Sequence, residues 1–147
     1  MIHVTERVEV AAPAAATWAA LTDWTTQGEW MLGTQVRVTR GDGHGVGSTL
    51  AAFTGLGKIG FTDHMEITTW DPPHRCEVTH TGRVVRGTGL FEILDRGADG
   101  STFVWQEDLR PPLGKLGDLG WLVVGPAFRL GVRQSLRKFA AYVEARA

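Results

Sequence analysis

The chain has 147 residues, a hydrophobic fraction of 43% and a formal net charge of −1. This length suits one domain spanning residues 1–147, and the apolar content excludes a disordered chain. The near-neutral charge predicts no nucleic-acid partner, and the lack of a long apolar run predicts no stable membrane insertion.

The single cysteine, Cys76, cannot form a disulfide within the chain. No Cys/His array has the spacing of a zinc site, and no phosphate-binding or GxSxG motif occurs, so we expect no metal and no cofactor. The first residues lack a basic segment followed by an apolar run, which favours a cytoplasmic protein.

The chain opens with a strand and two short helices. Apolar and polar residues alternate over residues 2–10, as in a half-buried strand. Pro13 suits the first turn of a helix over residues 14–21. Asp23 is a candidate N-cap for a second short helical stretch over residues 24–30.

Glycine-rich turns and a Pro-Pro pair then separate β-like runs. The glycine-rich segment 41–45 lies between two of these runs with no helix after it, which favours a hairpin over a phosphate loop. The predicted strands comprise residues 35–40, 47–54, 59–70, 75–81, 84–94 and 101–109. Strands joined in this way form an antiparallel meander.

The last part of the chain is helical. Residues 113–122 are interrupted by glycine and predict an irregular or weakly helical segment. Residues 121–143 carry apolar side chains at helical spacing, and Gly125-Pro126 is expected to kink or interrupt this helix. One long helix must cover one apolar sheet face, so the simplest α+β arrangement wraps a curved sheet around it.

The order of these segments resembles the START-like superfamily, in the branch of polyketide cyclase/dehydrase and lipid-transport proteins. The matching segments are VTERVEVAAPAAATWAALTDW, EITTWDPPHRCEV, GTGLFEIL, DGSTFVWQEDL and the terminal amphipathic helix. This resemblance implies a helix-grip fold, in which a seven-stranded antiparallel sheet grips the last helix and leaves a cavity. The family includes carriers, ligand binders and aromatic cyclases, so the resemblance leaves the activity open.

Three polar residues fall on otherwise apolar strand faces. Alternation places Asp63 beside Phe61 and Met65, His80 beside Cys76, and Glu107 beside Trp105. An unpaired buried carboxylate is costly, so these groups must pair, hydrate or protonate. Either they line a polar part of a cavity, or they lie near strand ends where the face assignment slips by one residue.

In a cavity, Asp63, His80 and Glu107 are candidate catalytic residues, because an aldol-type cyclisation or dehydration needs a base and a donor for a carbonyl oxygen. His64 and His80 lie on neighbouring strands but face opposite sides, so a shared metal site is not expected. For single aromatic residues, packing in a solid core is the competing interpretation. The candidate ligand-binding residues are Trp30, Phe61, Met65, Trp105, Glu107, Trp121, Phe128 and Val132.

Three functions remain open from the sequence. The first is a binder or carrier of a small hydrophobic or aromatic ligand, such as a lipid or polyketide-like metabolite. The second is a polyketide-type aromatic cyclase or dehydratase, and the third is an interaction module. The segment 113–124 combines glycines, which favour flexibility, with large apolar side chains, which favour packing. This combination predicts either a lid over the cavity or a contact with a second copy of the chain.

Overall fold

Seven strands form one antiparallel sheet in the computed structural model, which describes residues 1–147. The sheet order is β1-β7-β6-β5-β4-β3-β2, so β2 to β7 follow one another as a meander and β1 lies beside the last strand. The strands are β1 Ile2–Val10, β2 Thr34–Arg40, β3 Thr49–Leu56, β4 Ile59–Asp71, β5 Arg75–Thr81, β6 Arg86–Asp95 and β7 Ser101–Arg110.

The sheet is curved, and two irregularities contribute to the curvature. The register shifts between Val38 and Arg40 in β2, and again between Ile67 and Thr69 in β4. An extra residue in one strand bends that strand and increases its local twist. The concave face that results is the face occupied by the long helix.

Two short helices connect β1 to β2, as the sequence predicts. Helix α1 covers Ala14–Leu21, and a 3-10 helix covers Trp24–Glu29. Asp23 precedes the 3-10 helix, but its carboxylate does not cap the helix and instead accepts a hydrogen bond from the Thr25 hydroxyl at 3.2 Å.

The long helix α2, Lys115–Glu144, begins earlier than the sequence suggests. Of the two alternatives for residues 113–122, the irregular one is therefore wrong from Lys115 onward, and the helix is not interrupted at Gly125-Pro126. Glycine is needed at Gly117 for packing, because a Cβ there would lie 1.9 Å from the Pro112 carbonyl oxygen. Pro126 lies at an exposed position inside the continuous helix.

The core lies between the concave face and the C-terminal half of α2. Leu136, Phe139 and Val143 of this half are almost fully buried. Trp30 packs edge-on against Phe103 and Phe139, with ring centroids 6.4 Å and 4.7 Å away. The first half of α2 makes no comparable core, and this difference leaves room for a cavity.

A curved seven-stranded sheet around a long C-terminal helix is the helix-grip fold, so the predicted fold is confirmed. None of the helices has the length and apolar character needed to span a membrane.

Candidate functional site

A cavity of about 480 Å³ lies between the concave face of the sheet and residues 121–135 of α2. Of its 32 lining residues, 20 are hydrophobic. The cavity extends to the end of the sheet where β1 begins, β7 ends and β5 turns into β6, and it opens there because its lining residues Val84 and Arg110 are exposed. A largely apolar concave space with few polar groups is the usual form of a small-molecule site.

Three polar side chains of the cavity wall form a hydrogen-bonded row. His80 on β5 lies between Asp63 on β4 and Glu107 on β7. Its Nδ1 is 2.8 Å from Asp63 Oδ1, and its Nε2 is 2.8 Å from Glu107 Oε2. The side chain of His80 is 4% exposed, against 15% for Asp63 and 11% for Glu107. The row therefore lies at the inner wall of the cavity, away from bulk water.

His80 is held in its charged form by this arrangement. Burial alone would lower the pKa of His80, but its hydrogen bonds with Asp63 and Glu107 and the attraction of both groups raise that pKa to about 10. At neutral pH both ring nitrogens therefore carry a proton and donate to the flanking carboxylates. Because both ring nitrogens donate their protons to carboxylates, His80 has no free nitrogen that could accept a proton from a ligand.

Glu107 is held in place on three sides. Its Oε1 accepts a hydrogen bond of 2.9 Å from the Trp105 indole, while its Oε2 accepts from His80. Gly89 is opposite Glu107 in the neighbouring strand, and a Cβ on Gly89 would lie only 2.9 Å from Oε2. A glycine inside a strand permits such a close approach. Both carboxylate oxygens of Glu107 are thus occupied.

Asp63 keeps one oxygen free. Its Oδ1 accepts from His80, whereas its Oδ2 has no hydrogen-bond donor and is not sealed from solvent. Because Asp63 lines the cavity, this oxygen is the one carboxylate acceptor of the row that a bound molecule could use. The free acceptor is charged and partly desolvated, which strengthens any hydrogen bond made to it.

The structure brings most of the predicted site residues to one cavity. Those that line it are Phe61, Asp63, Met65, His80, Trp105, Glu107, Trp121, Phe128 and Val132. The placement of Trp30 is wrong, because this residue is fully buried in the core and does not line the cavity. A tryptophan at the end of a 3-10 helix has no strand or helix period that would predict its direction.

Several lining residues were missed by the sequence reasoning. Phe91 of β6 lies on the same face as Gly89 and packs edge-on against Trp105, at 5.6 Å between ring centroids. Alternation along β6 was the signal that could have found it. Met31 and Leu32 also line the cavity, but they lie between elements and carry no periodic signal.

The remaining ionisable groups of the cavity wall are Cys76 and Arg110. Burial is the main reason that the pKa of the Cys76 thiol rises to about 12, so this thiol stays protonated and is a poor nucleophile. Arg110 is exposed at the opening. No group of three or more His, Cys, Asp or Glu side chains is arranged to hold a metal ion.

A family model described as "Polyketide cyclase / dehydrase and lipid transport" matches residues 1–144. No protein with a curated description matches the chain significantly.

Several solved structures share the fold at low sequence identity. The Zhui aromatase/cyclase from a Streptomyces species is 18% identical, with a TM-score of 0.77 over 99% of this chain and 94% of that one. A protein from Thermus thermophilus is 15% identical, with a TM-score of 0.82 over 99% of both chains. Norcoclaurine synthase from Thalictrum flavum, solved with dopamine and hydroxybenzaldehyde, is 16% identical, with a TM-score of 0.69 over 99% of this chain and 88% of that one.

Proposed function

Since the chain belongs to the polyketide cyclase/dehydrase and lipid transport family, we propose that it binds a small, mostly apolar or aromatic molecule in the cavity beneath α2. The observation that carries this proposal is a hydrogen-bonded polar row, Asp63-His80-Glu107, in the wall of a largely apolar cavity of about 480 Å³. A cavity of this size accommodates a drug-sized or smaller molecule.

The free oxygen of Asp63 determines which polar group of a ligand can bind in the cavity. This oxygen accepts a hydrogen bond, and the row carries two carboxylates against one imidazolium. A ligand that donates a proton, such as a phenol or an enol, is therefore favoured. A ligand that places a carboxylate there is disfavoured, because it would leave two like charges close together in a partly desolvated site.

Three naphthalenes of nearly equal shape test this proposal. We expect 2-naphthol to bind with a 1:1 stoichiometry in isothermal titration calorimetry, more tightly than 2-methylnaphthalene and far more tightly than 2-naphthoate. A hydrogen bond to a charged group contributes about 1.5–3 kcal/mol, which corresponds to roughly 10-fold to 100-fold in affinity.

The variant Asp63→Asn is the matched change at the site, since it keeps the shape and removes the charge. It should reduce the preference for 2-naphthol and improve the binding of 2-naphthoate. Replacement of the exposed His64 on the same strand by Gln is the control and should change nothing. Equal binding of all three probes by the wild type, or no binding, would contradict the proposal.

A second candidate function is catalysis of an aldol-type cyclisation or dehydration. The observation that favours it is a free carboxylate oxygen on Asp63 next to an imidazolium that holds its partner oxygen in position. In this interpretation Asp63 is the base that removes an acidic C–H proton, while His80 positions it. His80 itself is not the base, because both of its protons are committed to carboxylates.

Proton exchange separates binding from catalysis without knowledge of the natural substrate. Benzoylacetone has an acidic C–H between two carbonyl groups, and its exchange in D₂O can be followed by NMR. A catalyst should accelerate this exchange, and Asp63→Asn should abolish the acceleration while benzoylacetone still binds. Exchange at the uncatalysed rate despite binding would exclude the catalytic candidate and leave the binding function in place.

A further inference from the structure

The end of the sheet at the cavity opening carries an excess of positive charge. The end with the cavity opening is formed by the residues between β3 and β4, between β5 and β6, and between β7 and α2, because these antiparallel connections all lie at one end. We call it the mouth end. The segments 55–60, 81–87 and 109–117 there contain no Asp or Glu, and Asp118 in the first turn of α2 is the exposed carboxylate next to them. They contain five cations, Lys58, Arg83, Arg86, Arg110 and Lys115.

These five cations are free to interact with a partner. All of them are exposed, and none takes part in a salt bridge within the chain. The opposite end carries charges of both signs, because Asp23, Asp42, Asp71, Asp95 and Asp99 lie there together with Arg40, Arg75 and Arg96. The mouth end is therefore positive although the net charge of the whole chain is −1.

The same end exposes large aliphatic side chains between the cations. Leu56 and Ile59 at the tip of the β3–β4 hairpin are both 85% exposed, and Leu113 is 80% exposed. The side chains of Val84, Leu116, Leu119, Leu122 and Val123 are also more than half exposed. These residues project from three separate connections and from the outer side of α2, so they form a broad collar around the opening.

From these observations we infer that the mouth end docks on an anionic phospholipid surface, with its aliphatic side chains in the interfacial region and its cations among the headgroups. A fluid bilayer needs no shape complementarity, which suits side chains spread over a collar. The cations suit the anionic headgroups of a membrane surface, and the aliphatic side chains between them suit the apolar region directly below the headgroups. Docking in this orientation brings the cavity opening against the membrane.

A second copy of the chain fits the mouth end less well. In a symmetric dimer each surface meets its own copy, so the five cations of one chain would face the same five cations of the other. With one exposed carboxylate, Asp118, next to the five cations of each chain, that contact is electrostatically unfavourable. The docked orientation also gives the outer leucines of α2 an apolar environment, while Trp121 of the same helix still lines the cavity.

Vesicle flotation tests this inference with the full chain. We expect the protein to float with vesicles of phosphatidylcholine containing 30% phosphatidylglycerol at low salt, and to remain free with vesicles of phosphatidylcholine alone. Binding should weaken as the salt concentration rises, since exposed charges are screened. Each cation near an anionic surface contributes roughly fivefold in partition, so the triple variant Lys58→Gln/Arg83→Gln/Arg86→Gln should bind about 100-fold more weakly.

Two further variants separate the aliphatic part from the charge and from the fold. Ile59→Ser/Leu113→Ser should also lose binding, although it retains all cations. The control Arg40→Gln/Val46→Ser changes an exposed cation and an exposed aliphatic residue at the opposite end and should float like the wild type. Circular dichroism and a thermal melt of each variant verify that it is folded.

Three outcomes would overturn the inference. They are an absence of flotation with anionic vesicles at low salt, an equal loss of flotation in the opposite-end control, and a stable dimer in solution that Leu113→Ser dissociates. Capture of the mouth end by an acidic protein, without any vesicle binding, would likewise assign this surface to a different partner.

Discussion

Replacement of His80 by glutamine is expected to remove a pH dependence of folding that the wild type shows above neutrality. The pKa of His80 is raised to about 10 in the folded chain, against an ordinary value of 6.5. A raised pKa means that the folded state holds a proton that the unfolded chain releases. The stabilisation is therefore complete below pH 6.5 and is lost as the pH rises towards 10.

The magnitude follows from the proton linkage. Between pH 6.5 and 10 the free energy of unfolding should fall by about 1.4 kcal/mol per pH unit because of this one group. The window from pH 6.5 to 8.5 is the most informative, since the Cys76 thiol, with its pKa raised to about 12, also affects folding once the pH passes its ordinary value of 9.0. Over these two units the expected loss is about 2 kcal/mol, because the unfolded chain is itself half protonated at pH 6.5.

Urea denaturation of the wild type and of His80→Gln at several pH values measures this difference directly. The variant should be less stable at pH 6.5, because it leaves two buried carboxylates without their cation, and its stability should depend less on pH. The control His64→Gln, on the outer face of β4, should follow the wild type. Parallel stability curves for the wild type and His80→Gln would refute the protonation of His80 proposed here.

Three other predictions concern the cavity wall and the core. Gly89→Ala should weaken 2-naphthol binding in calorimetry, because its methyl group would displace the Glu107 carboxylate, and unchanged affinity would argue against that contact. Phe139→Ala should lower the free energy of unfolding in urea by about 3–5 kcal/mol, since this ring is fully buried, and a loss below 1 kcal/mol would show that the core is looser than described. The Cys76 thiol should react with a disulfide reagent at pH 8 only when the chain unfolds, whereas rapid labelling of the folded protein would contradict its burial.

Strand alternation predicted the concave face of the sheet well. It placed Asp63, His80 and Glu107 on the inner side of three strands, where the structure finds all three. It did not predict their contacts, because these depend on the register between strands. His80 is opposite Met65 in the ladder and reaches Asp63 only along the diagonal.

Helix α2 was the element that sequence reasoning described least accurately. Its glycines and Pro126 lower helix propensity, and the propensity argument therefore started the helix too late, at residue 121 instead of Lys115. Tertiary packing outweighed propensity in this case. A Cβ at Gly125 would lie 2.8 Å from the Trp121 indole nitrogen, so this glycine allows Trp121 to fold back against the helix. A contact of this kind depends on the side-chain conformation of Trp121, which helix propensity does not describe.

Two glycines of α2 allow the space beneath this helix to be tested as the ligand site. Gly131 lines this cavity, and a Cβ added there meets no atom within 4 Å, so a larger side chain should extend into the empty space. Gly120 on the same helix also has open space around it but does not line the cavity, which makes it a matched control. Replacement of either glycine raises helix propensity, so neither variant should destabilise the fold through its backbone.

Calorimetric titration of 2-naphthol into the wild type, Gly131→Phe and Gly120→Phe is the most direct test of the proposed binding function. If the ligand occupies the cavity, Gly131→Phe should lose at least tenfold in affinity while its thermal stability is unchanged or higher, and Gly120→Phe should bind like the wild type. Equal affinity of all three proteins for 2-naphthol would contradict a ligand site beneath α2.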